Sequence, residues 1–124
     1  MTNYQLPTDK EYADKAYALV ISDLSEYDSI PELANKVGTN AVALKRAFKK
    51  HYGVNLFQFS RAFRIEKAKV LLVDTDYTLQ TIASMLGYSE GHNFQVAFRT
   101  VVGCNPGEWR KHERKFPERH CKRP

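Results

Sequence analysis

Leu44-Lys45-Arg46-Ala47-Phe48-Lys49-Lys50-His51-Tyr52-Gly53-Val54-Asn55-Leu56 finds a counterpart fifty residues on, in Phe94-Gln95-Val96-Ala97-Phe98-Arg99-Thr100-Val101-Val102-Gly103-Cys104-Asn105-Pro106. Both stretches keep Ala-Phe-basic, then Gly-x-Asn, then an aromatic at Phe59 and Trp109. Upstream, Leu33-Ala34 and Val37-Gly38 match Ile82-Ala83 and Leu86-Gly87 at an offset of 49, so one extra residue lies between Gly87 and Phe94. Two copies are too few for a solenoid, which needs about three or more. The chain reads instead as a tandem pair of small modules.

Each copy has the pattern of helix, tight turn, helix. In the first, Ser29-Ile30-Pro31-Glu32 has capping-box form, with proline tolerated in the first turn. Leu33, Ala34 and Val37 make one apolar face, and Gly38 ends the helix. Thr39 or Asn40 can cap the next helix, whose apolar residues are Val42, Leu44, Ala47 and Phe48, with Gly53 at its C-terminal stop. The second copy runs from a Thr78 cap through Leu79, Ile82, Ala83 and Leu86 to Gly87. A Ser89 cap then opens a helix carrying Phe94, Ala97, Phe98 and Val101, closed by Gly103. Ala34 and Ala83 stand where the paired helices approach, and a larger side chain there would push them apart. Glycine-turned helix pairs read DNA, although they also occur in unrelated helical proteins.

Around the modules the pattern stays helical. A linker helix is expected over about Leu56 to Val73, capped by Asn55, with Phe59, Ala62, Phe63, Ala68, Leu71 and Leu72 buried. Arg61, Arg64, Lys67 and Lys69 would keep their charges in water, with Arg64 tying the helix to a lobe. A leader helix over about Asp9 to Leu24 turns Tyr12, Ala13, Ala16, Leu19, Val20 and Leu24 inward. A last helix has Asn105 as cap, Pro106 at its first position and Glu108 at its third. The expected fold is all-α: about seven helices in two helix-turn-helix lobes joined by a long linker helix. The divisions fall at 1–8 for a leader, 9–55 for the first lobe, 56–73 for the linker, 74–113 for the second lobe and 114–124 for a basic, disordered tail.

Charge is unevenly shared along the 124 residues. Residues 1–36 hold three Lys/Arg against seven Asp/Glu, while 37–124 hold sixteen against seven, for a net +5 and a pI near 9.2. A basic body behind an acidic leader suits a polyanionic partner. No apolar stretch approaches the roughly 18 residues of a membrane span, and no secretory signal is visible, so a cytoplasmic setting and no membrane partner are expected. Cys104 and Cys121 lie far apart without CxxC spacing, and no disulfide framework is expected from them. His112, His120 and Cys121 read as a solvated polar tail rather than a metal cluster. There is no HExxH, no glycine-rich phosphate loop and no GxSxG. No catalytic residue, metal or cofactor is therefore assigned. A helical module that binds acidic proteins remains the alternative to one that reads DNA.

These residues carry a family resemblance. Across about Asp9 to Arg110 the chain resembles the AraC/XylS-type DNA-binding domain of bacterial transcription regulators. The resemblance rests on Ile30-Pro31-Glu32-Leu33-Ala34, the run Leu44 to Lys50 with Gly53, and Arg64-Ile65-Glu66-Lys67-Ala68 with Leu71-Leu72. It continues through Thr81-Ile82-Ala83, Gly87-Tyr88-Ser89, Phe94, Ala97-Phe98-Arg99, Gly103 and Pro106. It implies seven helices and two recognition helices entering successive major-groove segments of double-stranded DNA at an asymmetric bipartite promoter site. It also implies activation through contact with RNA polymerase. Related proteins stand alone or carry an N-terminal sensor domain. Two positions depart from the pattern: Val96 stands where members often have Arg, and Gly91 where they have Gln or a small polar residue.

The polar sides of the two recognition helices supply the DNA-binding candidates. In the first they are Val42, Lys45, Arg46 and Lys49, with Arg46 favoured because its planar fork can take guanine O6 and N7 together. Val42 either touches a thymine methyl or packs beside Leu44. In the second they are His92, Asn93 and Gln95, with Arg99 on the phosphate backbone; Gln95 can pair with adenine N6 and N7. Backbone N–H groups after Thr78 and Ser89 are further candidates for phosphate contacts.

Overall fold

The computed structural model describes residues 7–22, 24 and 28–115. Among them run α1 (Asp9–Ser22), α2 (Ile30–Val37), α3 (Ala41–Tyr52), α4 (Leu56–Asp74), α5 (Leu79–Met85), α6 (Gly91–Val102) and α7 (Pro106–Lys115), with no strand. The all-α expectation with seven helices holds. None of these helices is long and apolar enough to cross a membrane. Of the expected tail, residues 116–124 lie outside the described residues.

The chain forms two compact units that divide between Ser60 and Arg61, inside the continuous helix α4. The first unit is built from α1, α2, α3 and the opening turn of α4. Its core is Ala13, Ala16, Val20, Leu33, Ala34, Val37, Leu44, Phe48 and Leu56. Tyr17 stacks on both Tyr52 and Phe59 at centroid distances of 5.1 and 5.0 Å. Helix starts are well marked. Ser29 Oγ accepts from Glu32 N while Glu32 Oε1 accepts from Ser29 N at 3.0 Å, which completes the capping box. Asn40, rather than Thr39, caps α3 through Ala43 N at 2.9 Å, and Asn55 caps α4 through Phe57 N at 2.8 Å. Gly38 closes α2 with φ of 93°, a left-handed backbone that a Cβ would strain. Ser29→Ala removes half of the reciprocal cap and is expected to cost about 1 kcal/mol. A thermal melt followed by circular dichroism measures it; an unchanged midpoint would show the cap to be idle.

In the second unit the core is Ile65, Ala68, Leu72, Ile82, Ala83, Leu86, Phe94, Phe98, Val102 and Trp109, with Leu24 packed against it. Phe98 meets Phe94 and Trp109 edge-on at 6.0 and 5.9 Å, an arrangement favoured by the ring quadrupoles. The C-terminus of α4 is held by α7. Arg110 Nε donates to Leu72 O at 2.9 Å, and Arg114 donates to Thr75 O and to Asp76 Oδ1. Two guanidinium groups thus satisfy carbonyls that a helix end leaves without partners. Burial, reinforced by the neighbouring Arg114 charge, lowers the pKa of Arg110.

The buried positions reveal a repeat wider than the helix-turn-helix pairs. Ala13, Ala16 and Val20 of α1 are matched at an offset of 52 by Ile65, Ala68 and Leu72 of α4, all buried. Leu56 is likewise matched by Pro106 of α7 at an offset of 50, and both are buried. Each unit is therefore a helix-turn-helix pair with one helix before it and one after. The long helix α4 supplies the closing turn of the first and the opening helix of the second.

Three local expectations are corrected. Ala62 was expected inside and is exposed, because Arg64, Ile65, Ala68 and Leu72 set the buried side of α4 and Ala62 falls off it. Arg64 was expected to keep its charge in water; it is 2% exposed, and its Nε donates to Leu86 O at 3.0 Å. Its role in tying α4 to a lobe does hold. Ser89 does not cap α6. The extra residue lengthens the turn, so Glu90 takes the cap position and makes no side-chain cap bond. Of the two cysteines, Cys121 lies outside the described residues.

Candidate nucleic-acid interface

In the first unit, α2 and α3 meet at a three-residue turn, Gly38 to Asn40, and α3 buries Leu44, Ala47 and Phe48. With that side fixed, the 3.6-residue period places Val42, Lys45, Arg46 and Lys49 together on the opposite side within an arc of about 100°. All four are exposed. Val42 is 68% exposed, so the packing alternative for it is set aside. Lys45 and Arg46 have no hydrogen-bond or ion-pair partner among the described residues, and α3 contains no acidic residue. Lys49 Nζ donates to Gly53 O at 3.2 Å, anchoring it at the end of its own helix. Farther round the surface, Tyr52 donates to Asp14, and this bond pushes the Tyr52 pKa up to about 12.

The second unit repeats this arrangement on α6. Phe94, Phe98 and Val102 are buried, which leaves His92, Gln95, Val96 and Arg99 at the positions of Val42, Lys45, Arg46 and Lys49. His92, Val96 and Arg99 are exposed, while Gln95 is half-buried. Asn93 is exposed too but stands about 100° further round from His92, at the margin of this face. No side-chain partner holds His92, Asn93 or Gln95 among the described residues. Arg99 Nη1 donates to Asn105 Oδ1 at 3.3 Å. That oxygen is thereby engaged, although Asn105 keeps the expected place before α7, its carbonyl accepting from Trp109 N at 2.9 Å.

The structure thus gathers the sequence candidates into two equivalent faces, one per unit. The first is cationic and the second mostly neutral and polar. Gln80 of α5 was not singled out by sequence. Its side chain lies against the first residue of α6, with Oε1 2.6 Å from where a Cβ on Gly91 would stand. Only a comparison of positions 80 and 91 with Pro31 and Ala41 of the first copy would have drawn attention to it.

A tandem array of two such units, each presenting the outer face of its second helix, defines a double helix-turn-helix protein. The family model described as a helix-turn-helix domain matches residues 33–112, and the chain belongs to that family, in its AraC/XylS-type branch. It is similar to the HTH-type transcriptional activator RhaR of Klebsiella pneumoniae, 29% identical over 82% of this chain and 36% of that protein. A putative AraC-like transcription regulator of Streptomyces lividans is 32% identical over 68% of this chain and 28% of its own length. The chain thus spans about a third of these relatives. Among solved structures, the C-terminal domain of AraT, a response regulator from Geobacillus stearothermophilus, superposes with a TM-score of 0.78. It is 24% identical, with 90% of this chain and 88% of that one covered. The DNA-binding domain of AdpA, solved in complex with a target DNA, gives a TM-score of 0.77 at 21% identity, covering 88% and 99%. These superpositions show a shared fold.

Proposed function

We propose that this chain is the DNA-reading part of a bacterial transcription regulator and binds double-stranded DNA sequence-specifically through α3 and α6. The observation that carries the reading is the equivalence of the two exposed faces. Residues 42, 45, 46 and 49 recur as 92, 95, 96 and 99, turned outward by the same buried phenylalanine register. On the first face three of those four side chains are cationic, and α3 has no acidic residue to neutralise them, the footprint that a polyanion needs. Family membership supports the reading, as does the target DNA bound by the similarly folded AdpA domain.

Within it, Arg46 takes guanine, Lys45 takes a base acceptor or a phosphate, and Val42 lies against a thymine methyl. Gln95 reads adenine, with His92 and Asn93 beside it. Lys49 and Arg99, tethered at the ends of their helices, lie on phosphates and fix register without carrying sequence information. Because the two faces differ, the site is asymmetric, with two blocks about one helical turn apart, roughly 34 Å. The reading assigns no catalytic step. Activation through RNA polymerase belongs to the same proposal.

Selection of binders from a random duplex pool at about 0.15 M salt tests it. Two enriched blocks about 10 base pairs apart are expected. Binding that only fades as salt rises, with no sequence enriched, would leave a non-specific cation and overturn the reading.

A further inference from the structure

We infer that Gln80, which lies outside the second recognition helix, is a specificity-determining residue of the second module, its amide standing in for the side chain that Gly91 lacks. The inference rests on the DNA-reading proposal above and deepens it. A Cβ built on Gly91 would fall 2.6 Å from Gln80 Oε1 and 3.6 Å from Gln80 Cδ. The amide therefore fills the volume where a side chain at the first position of α6 would begin. A glycine here leaves room that any other residue would take away.

Three further observations give that placement a purpose. Gln80 is exposed, and no hydrogen bond among the described residues occupies its donors or its acceptor. Its amide is therefore open to an external partner. Residue 91 precedes His92 and stands one turn before Gln95, the i, i+4 relation that puts two residues on one side of a helix. The amide thus joins the polar set of the second face, where Val96 offers no hydrogen bond in the place that Arg46 fills on α3. In the first unit the corresponding positions hold Pro31 and Ala41, so the device belongs to the second module alone. A glutamine amide presents a donor and an acceptor side by side, the pattern that matches adenine N6 and N7 in the major groove. The second module accordingly reads one base pair through a residue delivered from α5.

The test uses the full chain and the duplex selected by it, comparing all four base pairs at each position of the second block by competition binding. Gln80→Ala is expected to flatten the preference at one base pair of that block by about 5- to 150-fold, the range a good bidentate pair supplies, with the first block unchanged. Gly91→Ala places a methyl where the amide lies and is expected to relax the same base pair. Both positions are at or near the surface, and a circular dichroism melt confirms that each variant is folded. Loss of affinity shared equally by all sequences would mean that Gln80 holds a phosphate, and it overturns the assignment. Unchanged preferences overturn it too, while leaving the DNA-reading proposal standing. A parent chain that selects no sequence overturns both.

Discussion

Arg64→Ala is expected to destabilise the second unit by about 2–4 kcal/mol. Arg64 is 2% exposed, and its guanidinium gives Leu86 O a charge-assisted hydrogen bond at 3.0 Å. Bonds from charged donors contribute roughly 1.5–3 kcal/mol, and truncation also strands a buried carbonyl and removes the packed aliphatic stem. Leu86 is the C-cap of α5, and Gly87 follows with φ of 85°. The lost bond therefore loosens the turn that aims α6. An opposing effect is the desolvation of the arginine itself, which can make an apolar replacement less harmful than expected. It does not reverse the sign, because Leu86 O would remain without this donor whatever replaces the arginine. Urea unfolding followed by Trp109 fluorescence reads this unit directly, since Trp109 is the single tryptophan and is part of its core. Arg64→Lys should fall between, having charge but no Nε at that place. A midpoint shift worth under about 0.5 kcal/mol for the alanine variant would remove Arg64 from the account of the turn.

For recognition, the largest effect is expected at Arg46. Arg46→Ala should cost the first block about 1–3 kcal/mol of discrimination at one G·C pair, raising Kd for the selected duplex by roughly 5- to 150-fold. Stability should hardly change, since the side chain is exposed and has no partner among the described residues. Arg46→Lys keeps the charge but loses the two-pronged geometry, so most of the non-specific affinity should survive while the guanine preference falls. Lys49→Ala offers the contrast. It should weaken binding evenly across sequences and reduce the slope of affinity against salt by about one ion. If Arg46→Ala and Lys49→Ala behave alike, base reading by Arg46 is wrong and both residues serve the backbone.

Much of this architecture was determined by the sequence alone. The offsets of 50 and 49, the glycines at helix ends and the caps at Ser29, Asn40, Asn55 and Thr78 act within a few residues of themselves, so the local pattern contains them. The two outward faces were legible for the same reason. Once Leu44 and Phe48, or Phe94 and Phe98, are buried, helical periodicity fixes what is left outside.

What only the tertiary structure decided depends on partners distant in sequence. Sequence places Arg64 as a tie from α4 to a lobe, but neither its burial nor its partner, Leu86 O 22 residues away, shows in the local pattern. Arg114 falls in the expected basic tail until α7 extends through it and sets it, with Arg110, on the carbonyl end of α4. Ser89 resembles a cap because sequence shows that a residue was added but not where the backbone absorbs it. The folded turn absorbs it before Glu90 and carries Ser89 out of capping position. Gln80 and Gly91 read separately as an ordinary surface amide and a weak helix former; only the packing of α5 beside α6 makes them one feature. Periodicity is a property of single helices, whereas these contacts arise between helices whose approach no local pattern encodes.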